Sequence, residues 1–207
     1  HSNTTHDVFT IAHELGHAMH SYYSHGAQPH SKANYSIFVA EVASTVNEVL
    51  LLKYMISHAT DKKAKKYLLT YYLDMFRTTL FRQTMFAEFE KLSHDMAAKG
   101  LPLTPKSLSD KYYKLNKKYY GKAVTHDNLI RYEWARIPHF YSAFYVYKYS
   151  TGITAAVNIA NAILTKGEAA VADYKRFLQS GGSDSPYELL KIAGVDLMDK
   201  TPFNNAM

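Results

Sequence analysis

A chain of 207 residues, 47% hydrophobic and 14% aromatic, carries enough apolar material for one substantial core or two small ones, which excludes a disordered linker. The formal charge of +6 admits an acidic partner in principle, but the basic residues are scattered. The densest run, Lys62, Lys63, Lys65 and Lys66, lacks interleaved glycine or aromatic residues and reads as solvated helix, so no nucleic-acid partner is expected. With no cysteine, disulfides and thiol catalysis are excluded and any metal site must be built from histidine and carboxylate. No window approaches the ~20 apolar residues of a membrane span and the first residues make no signal peptide, so no membrane partner is expected, and a soluble, cytoplasmic chain is.

The elements in chain order read as helices throughout, with no period-two alternation that would argue for a substantial sheet. The first helix is expected from about Asp7 to Ser24, ended by Gly26 and Pro29. It carries His13-Glu14-Leu15-Gly16-His17, an H-E-x-x-H pattern that composition alone would produce about 0.02 times in a chain with 11 histidines. Histidines four apart lie on one helix face, so their ring nitrogens can converge on one ion, with Glu14 projecting beside it. The apolar or small flanks, Val8 to Ala12 and Ala18-Met19, suggest a buried helix. Gly16 costs roughly 1 kcal/mol of helix propensity against alanine, which argues that something packs closely there. His20, one turn beyond His17, lies near the metal face as a candidate for orienting its neighbours.

A catalytic zinc ion takes three protein ligands and keeps a fourth position open, so the third ligand must come from another element. Residues 26–36 read as a loop, and a second helix is expected from about Ile37 to His58, apolar almost all round. Within it Glu41 is flanked by Val39, Ala40, Val42 and Ala43. A carboxylate in such surroundings is costly unless it is paired or binds a metal, which makes Glu41 the candidate third ligand. Glu48, two turns further along the same face, is placed to accept a hydrogen bond from the second nitrogen of a ligand histidine.

Asp61 is the expected cap of a long helix to about Lys99, stopped by Gly100; Thr104 and Pro105 open another that ends near Gly121. After a connector to Pro138, helices are expected at about 138–150, 152–166, 168–179 and 186–193. The last residues, T-P-F-N-N-A-M, look like the start of a further one.

The text H-E-L-G-H-A-M-H from His13 to His20, with F-V-A-E-V-A-S-T-V-N-E from Phe38 to Glu48, resembles the thimet-oligopeptidase-like zinc peptidases. I-P-H-F-Y-S-A-F-Y-V-Y-K-Y-S-T-G from Ile137 to Gly152 is similar to their oligoendopeptidase F branch, and the match covers nearly the whole chain. The resemblance implies an all-α, multi-helix catalytic lobe of a gluzincin-type metallopeptidase, with Zn2+ held by His13, His17 and Glu41, Glu14 as general base, and short peptides as substrates. It implies His139 and Tyr145 as donors to the oxyanion, with Tyr141, one turn before Tyr145 on an expected helix, next. Family members are much longer, so residues 1–207 are expected to be a carboxyl-terminal catalytic region truncated at both ends. The amino-terminal region would then be its missing partner, and the exposed channel wall would favour self-association. A catalytically inactive peptide-binding helical domain that keeps the metal site is the alternative reading.

Overall fold

The computed structural model describes residues 4–207, and every regular element among them is helical. The order is α1 (Thr5–Ala27), α2 (His30–Ala33), α3 (Ile37–His58), α4 (Lys62–Met75), a π-helical segment (Phe76–Phe81), α5 (Arg82–Ala98), α6 (Pro105–Tyr120), three short 3-10 turns, α7 (Tyr147–Lys166), α8 (Glu168–Gln179), α9 (Pro186–Ile192) and α10 (Thr201–Ala206). Among the described residues no helix is long and apolar enough to cross a membrane. The chain divides into two compact units, one made of residues up to Asp74 with Thr151–Met207, the other of Met75–Ser150.

In the first unit α3 is the central element. Val39, Val42, Val46, Val49 and Leu52 are fully buried on it, with Ala43, Ser44 and Thr45 buried on further sides, as a sequence apolar almost all round requires. Ala155, Ala156 and Ile159 of α7, Phe177 and Leu178 of α8, and Leu189 and Leu190 of α9 complete that core. Helix α1 starts at a reciprocal cap in which the Thr4 hydroxyl accepts from the Asp7 N–H while the Asp7 carboxylate accepts from the Thr4 N–H at 2.9 Å. It runs on through Gly26 to Ala27, longer than expected, because a glycine inside a helix lowers its stability without ending it. Nor is α1 buried on every side. Val8, Ile11, Leu15 and Met19 are 43–55% exposed and form an apolar stripe at helical spacing along its outer face.

The second unit is built on α5 and α6, whose Phe86, Phe89, Tyr112 and Leu115 pack with Ile137 and Val146. At its centre lies Glu133, buried and bound by Arg82 and Arg136, each at 2.7 Å, and by the Tyr112 hydroxyl. Burial pushes the Glu133 carboxyl up, but hydrogen bonds from Arg82 and Tyr112 outweigh it and hold the group below the usual carboxylate range. Two expectations are corrected here. The helix expected from Asp61 to Lys99 contains the π-helical turn, where the Leu80 carbonyl is taken by the hydroxyls of Thr84 at 2.7 Å and Ser150 at 3.1 Å. The segment expected as a helix over 138–150 is instead a 3-10 turn at Pro138–Tyr141 followed by irregular chain, with α7 beginning only at Tyr147.

Candidate metal centre

His13 and His17 stand one turn apart on α1, their rings edge to face with centroids 4.8 Å apart and their Nε2 atoms 3.2 Å apart. Glu41 reaches them from α3, with Oε2 at 3.4 Å from His13 Nε2 and 3.8 Å from His17 Nε2. Three ligands at about 2.0–2.1 Å from a tetrahedral ion lie roughly 3.3–3.4 Å from one another, so these three donor atoms are spaced to fit a zinc ion. Gly16 is what allows the approach. A Cβ there would lie 2.5 Å from Ser44 Cα and 2.7 Å from the Ala43 carbonyl oxygen, so any larger residue would push α1 off α3. Asn47 fixes the register by donating from Nδ2 to the Ala12 carbonyl at 3.1 Å. Ser44 Oγ, 3.4 Å from Glu41 Oε2, steadies the carboxylate.

The charges of the site support one another. Hydrogen bonds to Glu41 and then to Glu48 draw His13 up to about 10 against the opposing effect of burial. Glu41 is held below its ordinary value, first by its hydrogen bond with His13 and further by His17, while burial opposes the shift. A proton on His13 and a divalent ion satisfy the same lone pairs, and the ion satisfies all three at once.

Around this set, Glu48 Oε1 lies 2.6 Å from His13 Nδ1, which makes Nδ1–H the donor and leaves Nε2 facing His17 Nε2 and the Glu41 carboxylate. Glu14 is exposed, and among the described residues no hydrogen bond engages its side chain. His20 is buried against Tyr35, ring on ring at 3.5 Å, and near Phe177, with no hydrogen-bond partner for Nδ1 among the described residues, and burial pushes it down to about 4. Its neighbour Tyr35 had no signal in the sequence. The Tyr35 hydroxyl meets Ser21 Oγ at 2.9 Å and donates to the His17 carbonyl at 3.4 Å.

In the second unit His139 and Tyr145 stack with centroids 5.6 Å apart and planes 14° apart. Tyr149, passed over in the sequence although it lies four residues beyond Tyr145, joins them: its hydroxyl is 3.4 Å from His139 Nε2 and donates to the Tyr145 hydroxyl at 3.3 Å. Tyr141 is not one turn before Tyr145 on a shared helix face, since no helix exists there. It ends the Pro138–Tyr141 turn and is 91% exposed.

An H-E-x-x-H helix with a glutamate from a second helix narrows the chemistry, and comparison with known proteins settles the family. Peptidase family M3 matches residues 3–207. The chain belongs to this family. Oligopeptidase PepF of Bacillus subtilis is 50% identical over 99% of this chain and 30% of its own length. An oligoendopeptidase F homolog of Borreliella burgdorferi is 46% identical over 97% of the chain and 34% of its own. The crystal structure of oligoendopeptidase-F from Enterococcus faecium superposes with a TM-score of 0.85 at 46% identity, covering 97% of this chain and 36% of that one. The likeness thus falls in the oligoendopeptidase F branch, and the M3 chain described here spans about a third of the length of the curated relatives it matches.

Proposed function

We propose that this chain is the catalytic portion of a zinc-dependent endopeptidase that cleaves short oligopeptides. The convergence of His13, His17 and Glu41, in a member of peptidase family M3, carries that reading. Relatives described as an oligopeptidase and as oligoendopeptidase F, alike over nearly the whole chain, support it. A zinc ion held by these three side chains would acidify water and polarise the scissile carbonyl. Glu14 takes the proton from the attacking water and returns it to the leaving amine nitrogen, so no covalent intermediate with the protein is needed. Glu48 keeps His13 in the tautomer that offers Nε2. His139 and Tyr145 donate to the oxyanion that develops on the carbonyl, and the Tyr149 hydroxyl keeps their polar ends in one network. Tyr141 takes no part in that network and is given no role.

Catalysis in this proposal belongs to a longer protein, because the chain spans about a third of its relatives. An amino-terminal region would hold the substrate, and positioning is worth roughly 7–11 kcal/mol of a barrier. A cytoplasmic setting is proposed with it, on the cysteine-free composition. The test uses a short fluorogenic peptide. The full-length protein hydrolyses it, a chelator abolishes turnover, zinc restores it, and Glu14→Gln lowers kcat by about 10² to 10⁴ while zinc content is unchanged. Residues 1–207 alone turn over far more slowly and recover when the amino-terminal region is added. Undiminished activity in Glu14→Gln would remove it as the base, and full activity in the isolated chain would contradict the need for a second region.

A further inference from the structure

Phe144 holds a backbone conformation that a bulky residue avoids. Its φ of 55° is the only positive value outside glycine among the described residues. It occupies the third position of a four-residue turn closed by the Tyr145 N–H on the Ser142 carbonyl at 3.2 Å, a position that glycine or asparagine ordinarily fills. A strained residue persists only where its surroundings over-determine it, and such residues gather at functional sites. Here the surroundings are the second half of α5, from Glu90 at its middle to His94. Glu90, 3% exposed, accepts the Phe144 N–H on Oε1 at 2.7 Å. One turn on, the ring of His94 lies against the Phe144 ring at 4.6 Å, while His94 Nδ1 contacts the Glu90 carbonyl at 2.8 Å. The turn so closed is the one that returns the chain from Ser142 and brings Tyr145 against His139.

We propose that Glu90 is a positioning residue for peptide hydrolysis: its buried carboxyl group clamps the Phe144 amide in the left-handed conformation and thereby sets the loop that presents His139 and Tyr145. This rests on the reading of those two residues as oxyanion donors. Glu90 acts through the Phe144 amide and not on the reacting atoms. Its side chain acts as an acceptor at a fixed place, so glutamine serves in its stead and methionine, of similar length but without the acceptor, does not.

Two readouts on the full-length, metal-loaded protein test this. In amide hydrogen exchange, the peptide spanning residues 142–146 exchanges at least about 10-fold faster in Glu90→Met than in wild type, and Glu90→Gln retains protection. In steady-state kinetics, Glu90→Met lowers kcat by about 10- to 100-fold with little change in KM, Glu90→Gln retains most turnover, and Glu90→Met adds little on top of Tyr145→Phe. If Glu90→Met does not fold, Glu90→Asp, which draws the acceptor back by one methylene, takes its place. Unchanged exchange in the acceptor-deficient variant overturns the proposal, and so does faster exchange without loss of turnover. An effect that multiplies in full with that of Tyr145→Phe marks general structural damage and also overturns it. His139→Ala and Tyr145→Phe are controls for the donor reading alone. If both keep full turnover, that reading fails, while exchange and kcat in the Glu90 variants still decide whether the clamp positions the loop.

Discussion

At the scale of residues, His13 is gripped from both sides: Glu48 takes one ring nitrogen and Glu41 stands by the other. The outer carboxylate is expected to matter almost as much as a ligand, because it fixes ring orientation and raises the basicity of Nε2. Glu48→Ala, which removes the acceptor, should weaken zinc affinity by about 10- to 100-fold in competition with a chromophoric chelator, with the helical fold intact by circular dichroism. Affinity equal to wild type would mean that His13 orients itself. Much of this is legible from spacing and burial. His13 and His17 lie one turn apart, Glu41 is a lone carboxylate in an apolar run, and Glu48 continues its face. Residues whose roles come from contacts distant in sequence are not legible this way. Tyr35 meets the His17 carbonyl only because the chain doubles back through α2, and the Glu90 partner is the amide of a residue 54 positions away.

At the scale of elements, caps and unbroken apolar runs mark α3 and α6 closely, since those signals are local. The π-helical turn is not marked in this way: the Leu80 carbonyl there meets the Thr84 hydroxyl four residues on and the Ser150 hydroxyl 70 residues away, and the second contact has no local trace. The stretch 138–146 carries aromatic residues at helical spacing yet is held out of an α-helix by the turn at Phe144, and α7 begins only at Tyr147. The packing of α5 and α6 is built around one buried charge, Glu133. A carboxyl lowered in the folded state contributes stability that is fully present above its unfolded value, near 4.5, and is lost as pH falls through the folded value. Trp134, the chain's one tryptophan, packs against Phe89 in the same unit, so its fluorescence reports unfolding there. Wild type should lose stability from about pH 4.5 downward. Glu133→Gln should be destabilised by about 3–5 kcal/mol at pH 7, through loss of the buried pair, and show a flatter acid limb. Identical acid limbs would place the acid-sensitive charge elsewhere.

At the scale of the whole molecule, helix α1 keeps Gly16 and its His13–His17 face toward α3 while its opposite side leaves Val8, Ile11, Leu15 and Met19 in solvent. That apolar stripe is a surface suited to the proposed amino-terminal region, or to a second copy in its absence. Helical periodicity brings out the ligand face of α1 but cannot separate a buried apolar residue from one awaiting a partner, which is why the helix reads as buried throughout. The central claim is that His13, His17 and Glu41 hold one zinc ion in a geometry open to water. X-ray absorption at the zinc edge, on protein loaded with one equivalent, tests it most directly. The account predicts one tightly held ion with two imidazole nitrogens at about 2.0–2.1 Å and oxygen donors at about 2.0–2.2 Å, and loss of stoichiometric zinc in Glu41→Ala. A chain that retains no zinc, or a Glu41→Ala variant with an unaltered zinc spectrum, would contradict it.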